Sequence, residues 1–282
     1  LFRGFFRSLL AALAGCNNDA VMANGFLENL FSLSNQVAVV TGGTGVLGGA
    51  LCEGLAQAGA HVVVAGRSRE RGEERARAIA ALGGSAEFGE LDVTSRASMQ
   101  DLRDDVLARH GKVDILVNCA GVNSAVPYEQ ISDEDWDRVL GTNLKSTHWG
   151  CQLYAPVMAG QAEGGAILNI GSVTSHLPLS RVFAYSASKA AVVNYTKNVA
   201  REYAARRVRV NALCPGFFPA EQNRKILDQA RVANIMAQTP MGRFGEPPEL
   251  IGAALLLCSR AAGSYITGAE IYVDGGFTGN RF

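Results

Sequence analysis

The chain has 282 residues, of which 48% are hydrophobic and 18% charged; this is enough for one sizeable core and excludes an intrinsically disordered protein. Lys plus Arg and Asp plus Glu both number 26, and no basic patch with interleaved aromatics occurs, which argues against a nucleic-acid or anionic-membrane partner. The six cysteines form no CxxC pair and sit mostly in apolar runs, as reduced core residues do. The four histidines (His61, His110, His148 and His176) show no HxH or HxxxH spacing, so the sequence offers no support for a metal site.

Residues 1–30 read as an extension outside the fold, disordered or not native. Arg3 and Arg7, the absence of acids and the string Leu13-Ala14-Gly15-Cys16 fit a leader, but the apolar stretch is short, and a native start near Met22 is the favoured reading. No run approaches the roughly 18–20 apolar residues of a membrane span. From Gln36 onward apolar runs alternate with amphipathic stretches. Val37–Val40 reads as a buried strand, Val46–Ala58 as a helix stopped by Gly59, His61–Ala65 as a strand, and Ser68–Leu82 as a surface helix closed by Gly83-Gly84.

The alternation continues with a strand at Ala86–Leu91, a helix at Ser95–His110 and a strand at Val113–Asn118. Helices between about Ser132 and Met158, a strand at Ala166–Ile170, a helix at Ala184–Tyr203 and a strand at Val208–Leu213 follow. After an irregular stretch come a helix at Pro248–Cys258 and a strand at Glu270–Val273. Repeated strand–helix–strand order requires crossovers, so the expected fold is α/β: a single-domain, doubly wound parallel sheet with helices on both faces, covering residues 31–282.

Thr41-Gly42-Gly43-Thr44-Gly45-Val46-Leu47-Gly48 lies between the first strand and the first helix. Glycines there let the backbone approach a pyrophosphate, and the helix N-terminus offers free N–H groups. The second strand ends Ala65-Gly66-Arg67-Ser68-Arg69 with no acid before Glu70. An acid at this place would bond a ribose 2′-hydroxyl, whereas an arginine pairs with a 2′-phosphate. The expected cofactor is therefore NADP(H), with Arg67 (aided by Ser68 or Arg69) at the phosphate, and NAD(H) is the alternative.

Tyr185 and Lys189 are four apart at the start of the long helix and face one side. A free phenol has a pKa of about 10, and a nearby ammonium favours its ionised form. Around this pair stand Asn169-Ile170-Gly171-Ser172, Asn118-Cys119-Ala120-Gly121, Asp92-Val93, Thr142-Asn143-Leu144 and Asn211-Ala212-Leu213-Cys214-Pro215-Gly216. In this order the segments resemble the motifs of the classical short-chain dehydrogenases and reductases from about Phe31 to the C-terminus. Two positions depart from the pattern: Val46 stands for the middle glycine of the phosphate turn, and Cys119 for an alanine.

The resemblance implies a catalytic set of Asn143, Ser172, Tyr185 and Lys189. Tyr185 would exchange a proton with the substrate oxygen, and Ser172 would hold that oxygen. Lys189 would bind the nicotinamide ribose and depress the tyrosine pKa, and Asn143 would hold a water leading to solvent. It also implies a cofactor site of Thr41, Gly42, Thr44, Gly45, Val46, Leu47, Gly48, Arg67, Asp92, Val93, Asn118, Ala120, Gly121, Tyr185, Lys189, Pro215, Gly216 and Phe218. A lid over the substrate would span about residues 216–247, with Ala220 where a threonine is common, and the assembly would be a cytoplasmic homotetramer.

The string from Pro215 to Lys225 resembles the sugar-acid branch, the D-mannonate oxidoreductases (fructuronate reductases) and gluconate 5-dehydrogenases. Asn123, His176, Arg181, Gln222, Asn223 and Arg224 are the expected substrate contacts, since amides bond hydroxyls and arginine pairs with a carboxylate. A 3-oxoacyl acyl-carrier-protein reductase is the alternative; it would need a basic docking surface, for which Arg103, Arg109 and Lys112 are the candidates. Retention of all four catalytic residues argues against a non-catalytic dinucleotide-binding protein.

Overall fold

The computed structural model describes residues 25–218 and 229–279. Seven strands form one sheet: β1 Val37–Thr41, β2 His61–Gly66, β3 Ser85–Glu90, β4 Ile115–Asn118, β5 Gly165–Ile170, β6 Val208–Pro215 and β7 Glu270–Val273. Their order is β3-β2-β1-β4-β5-β6-β7 and every pairing is parallel. The chain runs outward from β1 to β3, then crosses back to β4, which leaves a switch point between β1 and β4. This is the doubly wound fold that the sequence predicts.

Helix α1 spans residues 25–31. It is followed by α2 Val46–Gln57, α3 Arg69–Ala81, α4 Arg96–His110, α5 Asp133–Leu140, α6 Ser146–Gly160, α7 Phe183–Tyr203, α8 Gln229–Gln238 and α9 Ile251–Cys258. Among the described residues no helix is long and apolar enough to cross a membrane. Ser68, Ser95 and Ser132 cap α3, α4 and α5, each accepting a backbone N–H from the first turn.

The period of two along each strand divides the core. Ala38, Val40, Val62 and Val64 pack with Leu51, Leu55 and Leu257 on one face. Val37, Val39, Val63 and Ala65 pack with Leu102, Val106, Tyr154 and Met158 on the other. Each fully buried aliphatic side chain contributes about 1.5–3 kcal/mol. Strands buried on both faces read as continuous apolar runs, which is why β1 and β2 are so legible.

Three expectations change. Residues 25–30, assigned to the extension by the sequence, belong to helix α1, and the Leu30 carbonyl accepts from Ser259 Oγ at 2.6 Å. The leader box and Met22 lie outside the described residues. The irregular stretch before α9 contains α8, whose amphipathic pattern was passed over. Between α5 and α6 the chain makes a π-turn, Gly141–Lys145, in place of a plain helix or loop. The long helix ends without glycine because Arg207 itself takes the left-handed conformation, φ 60°, after the turn Ala204–Arg206.

Candidate active site

The C-terminal ends of the strands gather the candidate residues. At the switch point, Gly42 has φ 70°, and a Cβ there would stand 2.8 Å from Ala120 Cα. A Cβ on Gly48 would fall 2.3 Å from the Gly42 carbonyl oxygen, so both positions require glycine. Thr41 is buried; its Oγ1 accepts the Cys119 and Ala120 N–H groups at 3.2 and 3.3 Å and fixes that loop against the turn. Gly45 precedes α2 without any side-chain cap, which leaves the first N–H groups of the helix available to an anion. Val46 opens the helix, exposed to solvent and without positive φ, so the departure at this position costs the turn nothing. Thr44 lies against Gly66 at the end of β2, and Leu47 packs on the core below.

Arg67, next to Gly66, is exposed and makes no hydrogen bond or ion pair among the described residues. Arg69 is engaged by Glu73, Glu90 and the Phe88 ring, and Ser68 caps α3. Of the three, Arg67 is therefore the side chain left to meet a phosphate. Asp92 accepts both the N–H and the hydroxyl of Thr94, and these bonds hold its carboxyl below the ordinary range. Val93 beside it packs against the core.

Tyr185 opens the first turn of α7 and Lys189 lies on the same side. Lys189 Nζ donates to the Ile170 carbonyl at 2.8 Å and sits 5.6 Å from the centre of the Tyr185 ring. Burial pushes the Lys189 ammonium down to about 8. The Tyr185 phenol is shifted above its ordinary value by burial, which a hydrogen bond from Ser172 opposes without overcoming. Ser172 is positioned by its own turn, where its Oγ accepts from Thr174 N and its N–H donates to Ser175 Oγ. Burial raises the Cys119 thiol to about 11 while Lys189 works against it, so the unusual cysteine belongs to this cluster.

Asn143 sits inside the π-turn, fully buried. Its Oδ1 accepts from Val122 N at 2.8 Å, and its Nδ2 donates to Val122 O and Ser188 Oγ at 3.0 Å each. Both amide hydrogens are engaged within the protein, which leaves the second lone pair of Oδ1 as the side chain's place for a water. Ser188 passes the link onward by donating to the Tyr185 carbonyl at 2.7 Å. The sequence reading missed Ser188, although it stands one residue before Lys189, and it missed Ser175, which donates to the Lys189 carbonyl.

Several expected contacts are placed otherwise. Asn118 donates to Asn169 Oδ1 at 2.8 Å, and its amide braces β4 to β5. Phe218 is core, packed against Gly245 and buried with the α2 face. Gly216 touches Asp274 just past β6, which Pro215 ends. His176 bonds Glu270 of β7 at 2.6 Å, and its ring centre lies 6.0 Å from that of Tyr272. Arg181 is exposed at φ 68° in the loop before α7, and Asn123 is half-buried, its Oδ1 bonded to Ser124 N. Gly121 lies beside Asn143 and Lys189. Ala220, Gln222, Asn223 and Arg224 lie outside the described residues.

The family model described as enoyl-(acyl carrier protein) reductase matches residues 44–278. The chain is 36% identical to a gluconate 5-dehydrogenase of Gluconobacter oxydans over 89% of its own length and 97% of that protein. It is 33% identical to a 3-oxoacyl acyl-carrier-protein reductase of Chlamydia pneumoniae, covering 88% and 98%. The crystal structure of a gluconate 5-dehydrogenase from Burkholderia cenocepacia in complex with NADP and tartrate superposes with a TM-score of 0.86 at 34% identity, over 90% of this chain and all of that one.

Proposed function

The chain belongs to the short-chain dehydrogenase/reductase family, NAD(P)-dependent oxidoreductases acting on CH–OH groups, and from that premise we propose an NADP(H)-preferring enzyme that interconverts a carbonyl and a secondary alcohol on a sugar acid. The observation that carries the chemistry is one cluster: the half-buried Tyr185 phenol, with the buried Ser172 and the buried Lys189 ammonium beside it. The glycine turn, the uncapped α2 N-terminus and the free Arg67 fit a dinucleotide with a 2′-phosphate. When bound, the nicotinamide supplies or accepts the hydride. Tyr185 gives its proton to the substrate oxygen in reduction and takes it back in oxidation, and Ser172 holds that oxygen in line. Lys189 turns its remaining N–H groups to the cofactor ribose. Asn143, through Val122 and Ser188, fixes the loop and the helix that carry these groups.

Sugar-acid relatives, among them the gluconate 5-dehydrogenase above and 2-dehydro-3-deoxy-D-gluconate 5-dehydrogenases, support the substrate class. The lid expected at about residues 216–247 of the single domain would include α8; residues 219–228 of it lie outside the described residues. The acyl-carrier reading has its own relatives, but the surface it needs is neutralised. Arg103 pairs with Asp104, Arg109 with Asp105 and Glu87, and Lys112 with Asp114. The free thiols of the described cysteines fit a cytoplasmic protein, and the half-exposed edge strand β7, with α6 and α7, fits the interfaces of a homotetramer.

Initial rates with NADPH and then NADH against keto-sugar acids, including fructuronate and 5-ketogluconate, test the assignment. Turnover with NADPH on one of them is the expected result; turnover confined to 3-oxoacyl thioesters would overturn it.

A further inference from the structure

Three side chains with metal-ligating atoms meet at the end of the sheet opposite the catalytic residues. His61 is the first residue of β2, Glu87 lies on the edge strand β3, and His110 is the last residue of α4. Since β2 is six residues long, about 20 Å of strand separates them from Arg67. Glu87 Oε1 is 2.8 Å from His110 Nε2 and 3.4 Å from His61 Nε2, and the three ligand atoms all fall within 4.8 Å of one another.

A second observation points to a ligand. His61 Nε2 is buried and has no hydrogen-bond partner, although it faces a carboxylate. Its other nitrogen, Nδ1, lies 2.7 Å from Ser85 Oγ. If Nδ1 carries the proton and donates to Ser85, Nε2 presents a bare lone pair to an anionic oxygen. If Nε2 carries it, a buried donor stops short of its acceptor. Each neutral tautomer is unfavourable, and either a second proton on the ring or a cation between the two atoms removes the conflict.

We propose that His61, Glu87 and His110 form a Zn²⁺ site that pins the β2–β3 edge of the sheet to α4. Two ligands at about 2.0–2.1 Å from a tetrahedral ion are separated by about 3.4 Å, the spacing already present between His61 and Glu87. Two imidazoles and one carboxylate suit Zn²⁺ better than Mg²⁺ or Ca²⁺, and water completes the shell. Supporting bonds are in place. Ser85 sets the orientation of His61, while Arg109 holds Glu87 Oε2 and leaves Oε1 as a single-oxygen ligand. The Arg109 charge beside Glu87 tempers affinity for a cation.

Untagged full-length protein, stripped with EDTA and dialysed, would be titrated calorimetrically with ZnCl₂ beside His61→Gln, His110→Gln and Ser85→Ala. One ion per chain is expected, weakened about ten-fold or more by either glutamine and less by Ser85→Ala. Co²⁺ should give the intense visible absorption of a four-coordinate site in the wild type and lose it in the glutamine variants. Equal Zn²⁺ uptake by all variants, or none by the wild type, would overturn the proposal. Should a glutamine variant not fold, Ser85→Ala and the wild-type Co²⁺ spectrum decide; weak six-coordinate absorption with unaltered Ser85→Ala affinity overturns it. Oxidoreductase turnover should be the same in every folded variant.

Discussion

Lys189 donates to the Ile170 carbonyl from beneath the Tyr185 ring, and this one bond ties the end of β5 to the catalytic helix. Burial makes the ammonium costly before any cofactor arrives, and its pKa of about 8 in the folded chain lies below the unfolded value of about 10.4. Between those values the unfolded chain binds more protons, so this group makes stability rise with pH from about 8 to about 10.4. Lys189→Met should therefore raise the melting temperature of the cofactor-free chain at pH 7 by about 2–4 °C or more, and the gain should shrink toward pH 10. Melting curves across pH 7–10 measure it; a gain that stays constant with pH would contradict the assignment.

Tyr185→Phe removes the proton donor and leaves the ring in place. Turnover should fall by about 10³-fold, within the usual range for a positioned acid–base group, while NADPH affinity measured by fluorescence stays within about two-fold. Unchanged turnover would remove Tyr185 from the mechanism.

Arg67→Ser tests the cofactor. Losing a charge-assisted bond worth about 1.5–3 kcal/mol should raise the NADPH KM about ten- to hundred-fold and leave the NADH KM nearly unchanged. Equal losses for both cofactors would point to a general role in the loop.

Gly48→Ala should abolish dinucleotide binding, because the new methyl would fall 2.3 Å from the Gly42 carbonyl oxygen. A calorimetric titration with NADPH that matches wild type would show that the turn adapts.

Asn169 accepts from Asn118 and donates to Thr196 Oγ1 at 2.9 Å, joining β4, β5 and α7 inside the core. Asn169→Ala strands the buried Asn118 amide and should cost about 1–3 kcal/mol in urea unfolding. A cost below 0.5 kcal/mol, roughly that of a surface change, would mean that solvent or a neighbour replaces the partner.

The strands were legible because both of their faces are buried, and the helices because serines cap them and their apolar faces repeat. The cofactor turn and the Tyr185–Lys189 pair were legible because each is contiguous within one turn or two. What escaped is assembled across the fold. The π-turn at Asn143 has no local signal, since one extra residue per turn leaves the helical pattern on either side intact. The bond from His176 to Glu270 escaped because its partner is 94 positions away. The brace from Asn118 to Asn169 escaped because it crosses from one strand to the next. His61, Glu87 and His110 lie on three separate elements, so no spacing rule could gather them.

The bond from Ser259 Oγ to the Leu30 carbonyl joins residues 229 positions apart. A ribosome must therefore deliver almost the whole chain before α1 can dock. Phe26 and Leu27 stay exposed even in the folded chain, so this end of the chain is held by the Leu30 carbonyl and the buried Leu33 rather than by those two side chains. A chain that terminates before Ser259 lacks this mooring, so the last turns of the fold decide how its first described helix is held.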